Sequence, residues 1–431
     1  MKRVVVTGVG IVSPFGVGQR VFWEQLLAGT VALRRLDLFD PSGFACQLAG
    51  QTPAYKIGDF VPKSYRKATK VMARDIELAV IAAHDAFTDA ALQSRAQTDT
   101  PSFAPERFGC NIGAGLISAE LDELTAAMHV ARDGDRLDLK RWGSEGMSQL
   151  TPLWLLKYLP NMLACHVTII HGLMGPSNTI TCEAASSHLA IGEAFRTIQR
   201  GKADLAICGG AESRLNPMGV MRQSLLGRLN PSCNERPDRA VRPFDDDAAG
   251  SVLGEGGGLL ILEELEHARA RGATIHAEIV GFAASQDSYR ITEPDPTGHS
   301  YGNAIANALR DAKLSPADVD LLVPHGLGIR DFDRAELNGI RKAFGNDTAR
   351  VALGTIKSQV GHLVAGCGVD AATAVLAVSD GKIPPAVNTI RPIDGVKLNV
   401  SRETRPQPVN VAVTSVYSLG GQNAALVFRK V

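Results

Sequence analysis

The stretch NTITCEAASSHLAIG, residues 178–192, joins a predicted strand to a predicted helix and decides the fold. Its beginning favours a strand because three consecutive residues are β-branched: Thr179, Ile180 and Thr181. Its end favours a helix because apolar residues recur at helical spacing: Leu189, Ile191 and Phe195. Small residues lie between the two patterns, so we expect a tight strand-to-helix turn, called here the 178–192 elbow.

An elbow of this kind brings one residue to the N-terminus of the following helix. Free N–H groups and the helix dipole stabilise negative charge there, which suits a nucleophile and an oxyanion site. The residue that we place at the apex is Ala184. Its methyl group cannot act as a nucleophile.

The composition excludes several classes of protein. The chain has 431 residues, with 45 basic and 45 acidic side chains and no long basic run, so sequence-independent binding of nucleic acid is not expected. The sequence contains no run of 18 apolar residues, so a membrane-spanning helix is not predicted. The N-terminus, MKRVVVTGVG, is typical of a first core strand rather than a signal peptide, so we expect a cytoplasmic protein.

Neither a metal nor another cofactor is indicated by the motifs. The seven cysteines are scattered and none forms a CxxC pair, which argues against a disulfide framework or a zinc site. The glycine-rich segment GVGIVS, residues 8–13, lacks a third glycine and is better explained as a tight turn than as a phosphate loop.

The order of predicted elements gives the fold class. Strands alternate with helices through residue 265, and the alternation then starts again, which predicts an α/β protein with halves 1–265 and 266–431. Within the first half we predict a long amphipathic helix over residues 70–92 and a strand over residues 166–170.

Two histidines and a lysine are the candidate chemical groups outside the elbow. His325 follows the apolar strand DLLVP, and His362 follows Lys357 by five residues in KSQVGHLVAG. A single histidine is more often structural, but two of them on strand-to-helix loops with a lysine favour a site. Neutral imidazoles can donate to a carbonyl or to a developing enolate, and Lys357 can bind a carboxylate or tune the histidines.

Segments along the whole chain resemble one family, the β-ketoacyl-acyl carrier protein synthases. They include RVVVTGVGIVSPFG (residues 3–16), ITCEAASSHLAIGEA (180–194), HGLGI (325–329), KSQVGHLVAG (357–366) and VYSLGGQNAALVF (416–428). The resemblance implies a thiolase-like fold of two similar βα halves in five α-β-α-β-α layers. It also implies a decarboxylative Claisen condensation between an acyl thioester and a malonyl-carrier protein, in fatty-acid or polyketide synthesis.

The resemblance also implies roles and partners. His325 and His362 match the catalytic histidines, Lys357 the lysine, and Glu336 the buried acid beyond Phe332. Tyr417 and Leu419 take the places of two gating aromatics, and the N–H groups of Ala184 and Leu419 would form the oxyanion hole. The expected partners are an acyl carrier protein with phosphopantetheine-linked acyl and malonyl groups, and a second copy or a homologous subunit in a dimer.

Three departures from the family pattern leave three alternatives open. One is Glu183, an unusual residue beside the elbow that adds negative charge there. Ala184 stands where the family has its nucleophilic cysteine, and HGLGI lacks the two threonines that contact the phosphopantetheine arm. The chain is then a condensing enzyme whose nucleophile has been replaced by engineering, or a natural non-acylating form. The natural form would be a chain-length-factor-like subunit or a malonyl-carrier protein decarboxylase. The third alternative, with Cys182 as the nucleophile, is the weakest because that residue lies on the strand.

Overall fold

The computed structural model describes residues 1–431 and contains one main β-sheet path of ten principal strands. The first five are β1 (Val4–Ser13), β2 (Phe108–Ala114), β3 (Ser177–Ile180), β4 (Leu205–Ser213) and β5 (Glu255–Glu264). The second five are β6 (Ala277–Gln286), β7 (Leu321–Val323), β8 (Ala352–Leu353), β9 (Val411–Tyr417) and β10 (Gln422–Arg429). The two-residue strand Gly16–Val17 pairs with the end of β1.

The principal helices lie between these strands. Those before β6 are α1 (Gln19–Leu27), α2 (Arg74–Asp89), α3 (Leu121–Val130), α4 (Met162–His171), α5 (Ser186–Gln199), α6 (Pro217–Leu225) and α7 (Leu265–Ala270). Those after it are α8 (His299–Ala312), α9 (Arg330–Phe344), α10 (Lys357–Val360) and α11 (Gly368–Asp380). None of them combines the length and the apolar character that a helix needs to cross a membrane.

The two sets of five strands have the same topology. The first set is ordered β1-β5-β4-β2-β3 and the second β6-β10-β9-β7-β8, so each follows the order 1-5-4-2-3. The pairing directions also agree between the two sets. In each set the fifth strand is antiparallel to both the first and the fourth, and the second strand is parallel to both the fourth and the third. A short antiparallel pairing of β1 with β6 joins the two sets.

The helices separate the sheet path into layers. α5 and α11 contact strands of both sets, whereas α2 packs on the outer face of the first set. α8 packs on the outer face of the second set, and α9 packs against α8. The result is the α-β-α-β-α arrangement of a thiolase-like fold. The largest apolar cluster includes residues of α5 and α11, and two further clusters lie beneath the outer helices. Both central helices are mostly buried, although Glu193 of α5 is exposed, and this packing fixes the loops at their N-termini.

Two predicted elements differ from the observed ones. The strand predicted over residues 166–170 is wrong, because this segment belongs to α4. Its β-branched residues favour a strand locally, but the helix buries Leu163, Val167 and Ile170 on one face and leaves Ile169 53% exposed. The long helix predicted over residues 70–92 is shorter, since α2 runs from Arg74 to Asp89 and a 3-10 segment, Lys63–Val71, precedes it.

Candidate active site

The 178–192 elbow contains a single tight turn between β3 and α5. After Ile180 the chain forms a 3-10 turn over Glu183–Ala185, and α5 begins at Ser186. Glu183 has a positive φ of 49°, an uncommon value for a residue with a side chain. The hydroxyl of Ser186 accepts a hydrogen bond from the Cys182 N–H and donates one to the Glu183 carbonyl. The structure places Ala184, fully buried, at the middle of this turn.

The side chain of Glu183 folds back over the turn. Its Oε2 atom accepts a hydrogen bond of 2.9 Å from the backbone N–H of Ala184. Its Oε1 atom lies 3.6 Å from Arg214 Nη1 and 3.9 Å from Arg228 Nη1. A carboxylate therefore accepts a hydrogen bond from the N–H group that the family resemblance assigns to the oxyanion hole, and two guanidinium groups form ion pairs with it.

His325 and His362 lie side by side, on the loops that follow β7 and α10. Their ring centroids are 5.1 Å apart with the planes at 82°. Burial lowers the pKa of each imidazole well below its usual value, and the charge of Lys357 lowers both further, so the two rings are neutral at neutral pH. The Nδ1 atom of His325 and the Nε2 atom of His362 are buried without a hydrogen-bond partner.

Two buried carboxylates hold the backbone of the His325 loop. Glu336, on α9, accepts hydrogen bonds from the N–H groups of His325 (2.7 Å) and Gly326 (2.8 Å) and from the hydroxyl of Tyr301 (2.6 Å). Burial raises the pKa of Glu336 to about 7. Asp333, which the sequence analysis missed, accepts from the N–H groups of Leu327 and Gly328. The loop is thus fixed by side chains one helical turn apart on α9.

Lys357 forms a buried ion pair with Asp370 of α11. Both side chains are at most 1% exposed. Burial by itself lowers the pKa of the Lys357 ammonium, but the carboxylate of Asp370 outweighs this effect and holds that pKa above its usual value. Lys357 is therefore charged, and its field contributes to keeping both imidazoles neutral.

The end of β9 and the residues that follow it close the other side of the histidine pair. The ring of Tyr417 lies 4.7 Å from that of His325, centroid to centroid, and its buried hydroxyl has no hydrogen-bond partner. The next residue, Ser418, accepts a hydrogen bond from the Ala185 N–H and donates one to the Cys182 carbonyl. The sequence analysis missed Ser418, because its partners lie more than 230 residues away.

A narrow, nearly filled cleft borders the imidazoles, and Glu183, Tyr417 and Leu419 line it together with His325 and His362. Leu419 and Glu183 also border a second, larger cleft of about 410 Å³ on the surface, whose other lining residues include Leu116, Leu225 and Leu226. The predicted residues His325, His362, Tyr417 and Leu419 are thus brought together around one cleft, with Glu183 as the residue of the elbow that lines it.

One group of side chains in this site has donors of the kind that bind metal ions. A nitrogen of His325, a nitrogen of His362 and the sulfur of Cys367 all lie within 4.8 Å of one another. The sequence analysis did not single out Cys367. The positive charges of Lys357 and Arg214, which lower the pKa of His362, also oppose a cation at this position. The arrangement fits a site for proton transfer and hydrogen bonding better than a metal centre.

The chemistry of the site follows from these neutral rings. Each imidazole has one ring nitrogen that no other group of the protein engages, so the pair can donate to a carbonyl oxygen on which negative charge develops. A lysine behind them adds a positive field. The middle of the elbow turn, by contrast, offers only the methyl group of Ala184 beside a carboxylate.

Comparisons with known proteins identify the family. Family models described as Beta-ketoacyl synthase, N-terminal domain, and Beta-ketoacyl synthase, C-terminal domain, match residues 1–268 and 276–389. The chain is 35% identical to 3-oxoacyl-[acyl-carrier-protein] synthase 2 of Synechocystis sp., over 100% of this chain and 98% of the relative.

Two solved structures have the same fold. A Beta-ketoacyl synthase from Burkholderia phymatum has a TM-score of 0.87 and 31% identity, with 100% of both chains covered. The ishigamide ketosynthase/chain length factor has a TM-score of 0.85 and 26% identity, covering 100% of this chain and 99% of the other. With two matching domains, a duplicated topology and a histidine pair behind the elbow, this chain belongs to the β-ketoacyl synthase family.

Proposed function

We propose that this chain carries out the malonyl half of a decarboxylative condensation on carrier-protein thioesters, in fatty-acid or polyketide synthesis. The observation that carries the proposal is the pair of neutral, buried imidazoles of His325 and His362, each with one ring nitrogen unpartnered. When the carboxylate of a malonyl thioester leaves as carbon dioxide, an enolate remains. Two N–H donors aimed at the thioester oxygen lower the energy of that enolate.

The other predicted residues have supporting roles in this proposal. Lys357, paired with Asp370, supplies positive charge behind the imidazoles. Glu336 fixes the backbone of the His325 loop. Tyr417 and Leu419 form the gate of the cleft, and the N–H groups of Ala184 and Leu419 form the oxyanion hole once Glu183 moves aside. We also propose that the two halves, 1–265 and 266–431, are the units of the internal duplication.

The proposed partners follow from the family and from the chemistry of the substrate. Malonyl and acyl groups are carried by an acyl carrier protein, which is the carrier that the name of the Synechocystis relative specifies. A second copy or a homologous ketosynthase subunit completes a dimer. We place the protein in the cytoplasm, which is supported by seven free cysteines, none of them in a disulfide.

One observation favours a second candidate function, that of a natural non-acylating subunit comparable to a chain length factor. The Glu183 carboxylate occupies the Ala184 N–H and is held by Arg214 and Arg228, so the elbow as it stands opposes a second negative charge. Such a subunit would depend on a homologous partner with a nucleophilic cysteine. Co-expression with a ketosynthase of that kind tests it: a stable heterodimer that forms product only when both chains are present supports this candidate.

The direct test follows the decarboxylation of malonyl-carrier protein. The purified chain is incubated with a phosphopantetheinylated carrier protein loaded with malonate, and the acetyl-carrier protein formed is measured by mass spectrometry. We expect His325→Ala and His362→Ala each to lower the rate about a hundredfold. The matched control is His129→Ala, because His129 is exposed on α3 and should leave the rate unchanged. An unmodified chain that forms no acetyl-carrier protein would reject the proposal.

A further inference from the structure

The 178–192 elbow has a counterpart in the second half of the fold. Along the chain, α5 connects the third strand of the first set to the fourth, and α11 occurs between the third and fourth strands of the second set. Each helix is preceded by a 3-10 turn, Glu183–Ala185 in one case and Val364–Cys367 in the other. The first residue of each turn has a positive φ, 49° at Glu183 and 51° at Val364. Strain of this kind in residues with side chains clusters at functional sites.

The two turns face each other in the centre of the molecule. Ala184 of one turn and Cys367 of the other belong to the same buried apolar cluster. Cys367 is the N-cap residue of α11, a helix of 13 residues. Its sulfur therefore lies near a helix N-terminus, whose dipole favours negative charge. Burial nevertheless raises the pKa of the Cys367 thiol well above its usual value, so the thiol is protonated and needs a base to act as a nucleophile.

The surroundings of the Cys367 sulfur supply a base. Ligand atoms of His325 and His362 lie within 4.8 Å of the sulfur, and one nitrogen of each ring is buried and unpartnered. A thiol beside an imidazole is the usual arrangement for a nucleophilic cysteine. The sulfur of Cys182 is not part of this group.

We propose that Cys367 is the acyl-accepting nucleophile of this chain, and that it acts from the second turn in place of a cysteine at position 184. The proposal deepens the proposed function and rests on it, because it adds the acyl half of the reaction to the malonyl half.

The step balances with groups that are present. The Cys367 S–H gives its proton to an adjacent imidazole, and the sulfur attacks the carbonyl carbon of an acyl thioester. The bond from that carbon to the thiol of the carrier breaks, and the departing thiolate takes the proton back from the imidazolium. The acyl group is then held as a thioester on Cys367, and no oxidant or reductant is consumed.

In this proposal the acyl group reaches Cys367, which has no exposed surface, by displacement of the 417–421 segment. Gly420 and Gly421 in this segment have φ values of 85° and 90°, which only glycine adopts readily. Leu419, beside them, lines the cleft to the imidazoles. In this proposal the acyl chain uses the same cleft as the malonyl group.

The test uses octanoyl-N-acetylcysteamine, a small acyl thioester, and locates the acyl group by peptide mass spectrometry. Trypsin releases residues 358–382 with Cys367 as their only cysteine, and residues 158–196 with Cys165 and Cys182. We expect one octanoyl group on the 358–382 peptide of the unmodified chain, and at least a tenfold loss of it in Cys367→Ala. The matched control is Cys110→Ala, since Cys110 is also fully buried but lies on β2, and it should be labelled like the unmodified chain.

Every other outcome overturns the proposal. A label on the 158–196 peptide that disappears in Cys182→Ala assigns the nucleophile to Cys182. Absence of label in a folded chain, with or without label in Ala184→Cys, shows that Cys367 accepts no acyl group. The same preparations are assayed for decarboxylation of malonyl-carrier protein. Decarboxylation without acylation rejects only the role of Cys367, whereas acylation of Cys367 without decarboxylation rejects the proposed function and leaves Cys367 as an acyl acceptor.

Discussion

The carboxylate of Glu183 accepts a hydrogen bond from the backbone N–H of the very next residue, Ala184. An oxyanion hole needs such a donor free, because its contribution comes from the charge that develops in the transition state. Arg214 and Arg228 lie within 4 Å of the same carboxylate and hold it in place. A cysteine introduced at position 184 would therefore stand beside an N–H group that is already engaged.

This contact predicts the behaviour of variants that carry Ala184→Cys. Glu183→Ala removes the carboxylate and frees the N–H group, whereas Glu183→Gln keeps an amide oxygen that can accept the same hydrogen bond. We expect Ala184→Cys with Glu183→Ala to acylate residue 184 on the order of a hundredfold faster than Ala184→Cys with Glu183→Gln. The measurement is the rate at which the 158–196 peptide gains the acyl mass. Equal rates would mean that Glu183 does not block the site.

The elbow and the histidine loops were predictable because their signals are local. β-Branched residues followed by a helical apolar pattern define the turn at Ala184, and glycines beside His325 and His362 mark the ends of strands and short helices. The same reasoning failed at α4, where local β-branching indicates a strand but burial of one helical face against α2 favours a helix. Tertiary packing outweighs such propensities.

The contacts that complete the site could not be predicted from the sequence. The proximity of Cys367 to Ala184 depends on two helices in separate halves whose N-termini meet, and no spacing within either half encodes it. Ser418 reaches the elbow across more than 230 residues. The rotamer of Glu183 that folds back over the turn depends on two arginines, Arg214 and Arg228, that are distant in the sequence. These relationships are set by how the halves pack, not by the pattern within one segment.

The ion pair of Lys357 and Asp370 predicts a strong asymmetry between single and double variants. Lys357→Met leaves a buried carboxylate without its cation, and we expect the free energy of unfolding to fall by about 3–5 kcal/mol. Lys357→Met combined with Asp370→Leu removes both charges and should recover most of that loss. Urea denaturation followed by circular dichroism measures both values. The control is Arg20→Ala in the exposed pair with Glu24, which should change stability by less than about 0.5 kcal/mol. A double variant no more stable than Lys357→Met would contradict this account.

The raised pKa of Asp75 predicts that the protein becomes less stable as the pH rises. Burial, with Glu212 nearby, raises the pKa of Asp75 to about 8 in the folded protein, whereas its usual value is 3.8. The folded state thus binds this proton more tightly than the unfolded state. The resulting contribution to the free energy of unfolding is complete below the usual pKa of 3.8, and it is lost as the pH rises to the pKa of Asp75 in the folded protein. Between about pH 5 and pH 8 the loss is on the order of 3 kcal/mol.

Asp75→Asn separates this effect from that of other titrating groups. The amide oxygen still accepts from the Ser213 N–H, as Asp75 Oδ1 does, but it does not ionise. We expect the unfolding free energy of the variant to fall less between pH 5 and pH 8 than that of the unmodified chain, in paired urea titrations. The matched control is Asp59→Asn, a substitution on a surface 3-10 turn, which should leave the pH dependence unchanged. Identical slopes for Asp75→Asn and the unmodified chain would rule out a raised pKa at this residue.

The hydrogen bonds of Ser418 predict that loss of its hydroxyl makes the elbow less ordered and leaves the rest of the fold unchanged. Its hydroxyl accepts from the Ala185 N–H at 2.7 Å and donates to the Cys182 carbonyl at 2.6 Å, so it ties the 417–421 segment to both ends of the turn. Ser418→Ala leaves the buried Ala185 N–H without a partner, which costs about 1–3 kcal/mol. We expect faster amide hydrogen exchange at residues 183–187 and little change elsewhere, because the surrounding helices are held by their own packing. Ser418→Thr keeps the hydroxyl and should retain the slow exchange of the unmodified chain. If Ser418→Ala and Ser418→Thr exchange alike at these residues, the elbow is held by the backbone of the turn itself and not by the 417–421 segment.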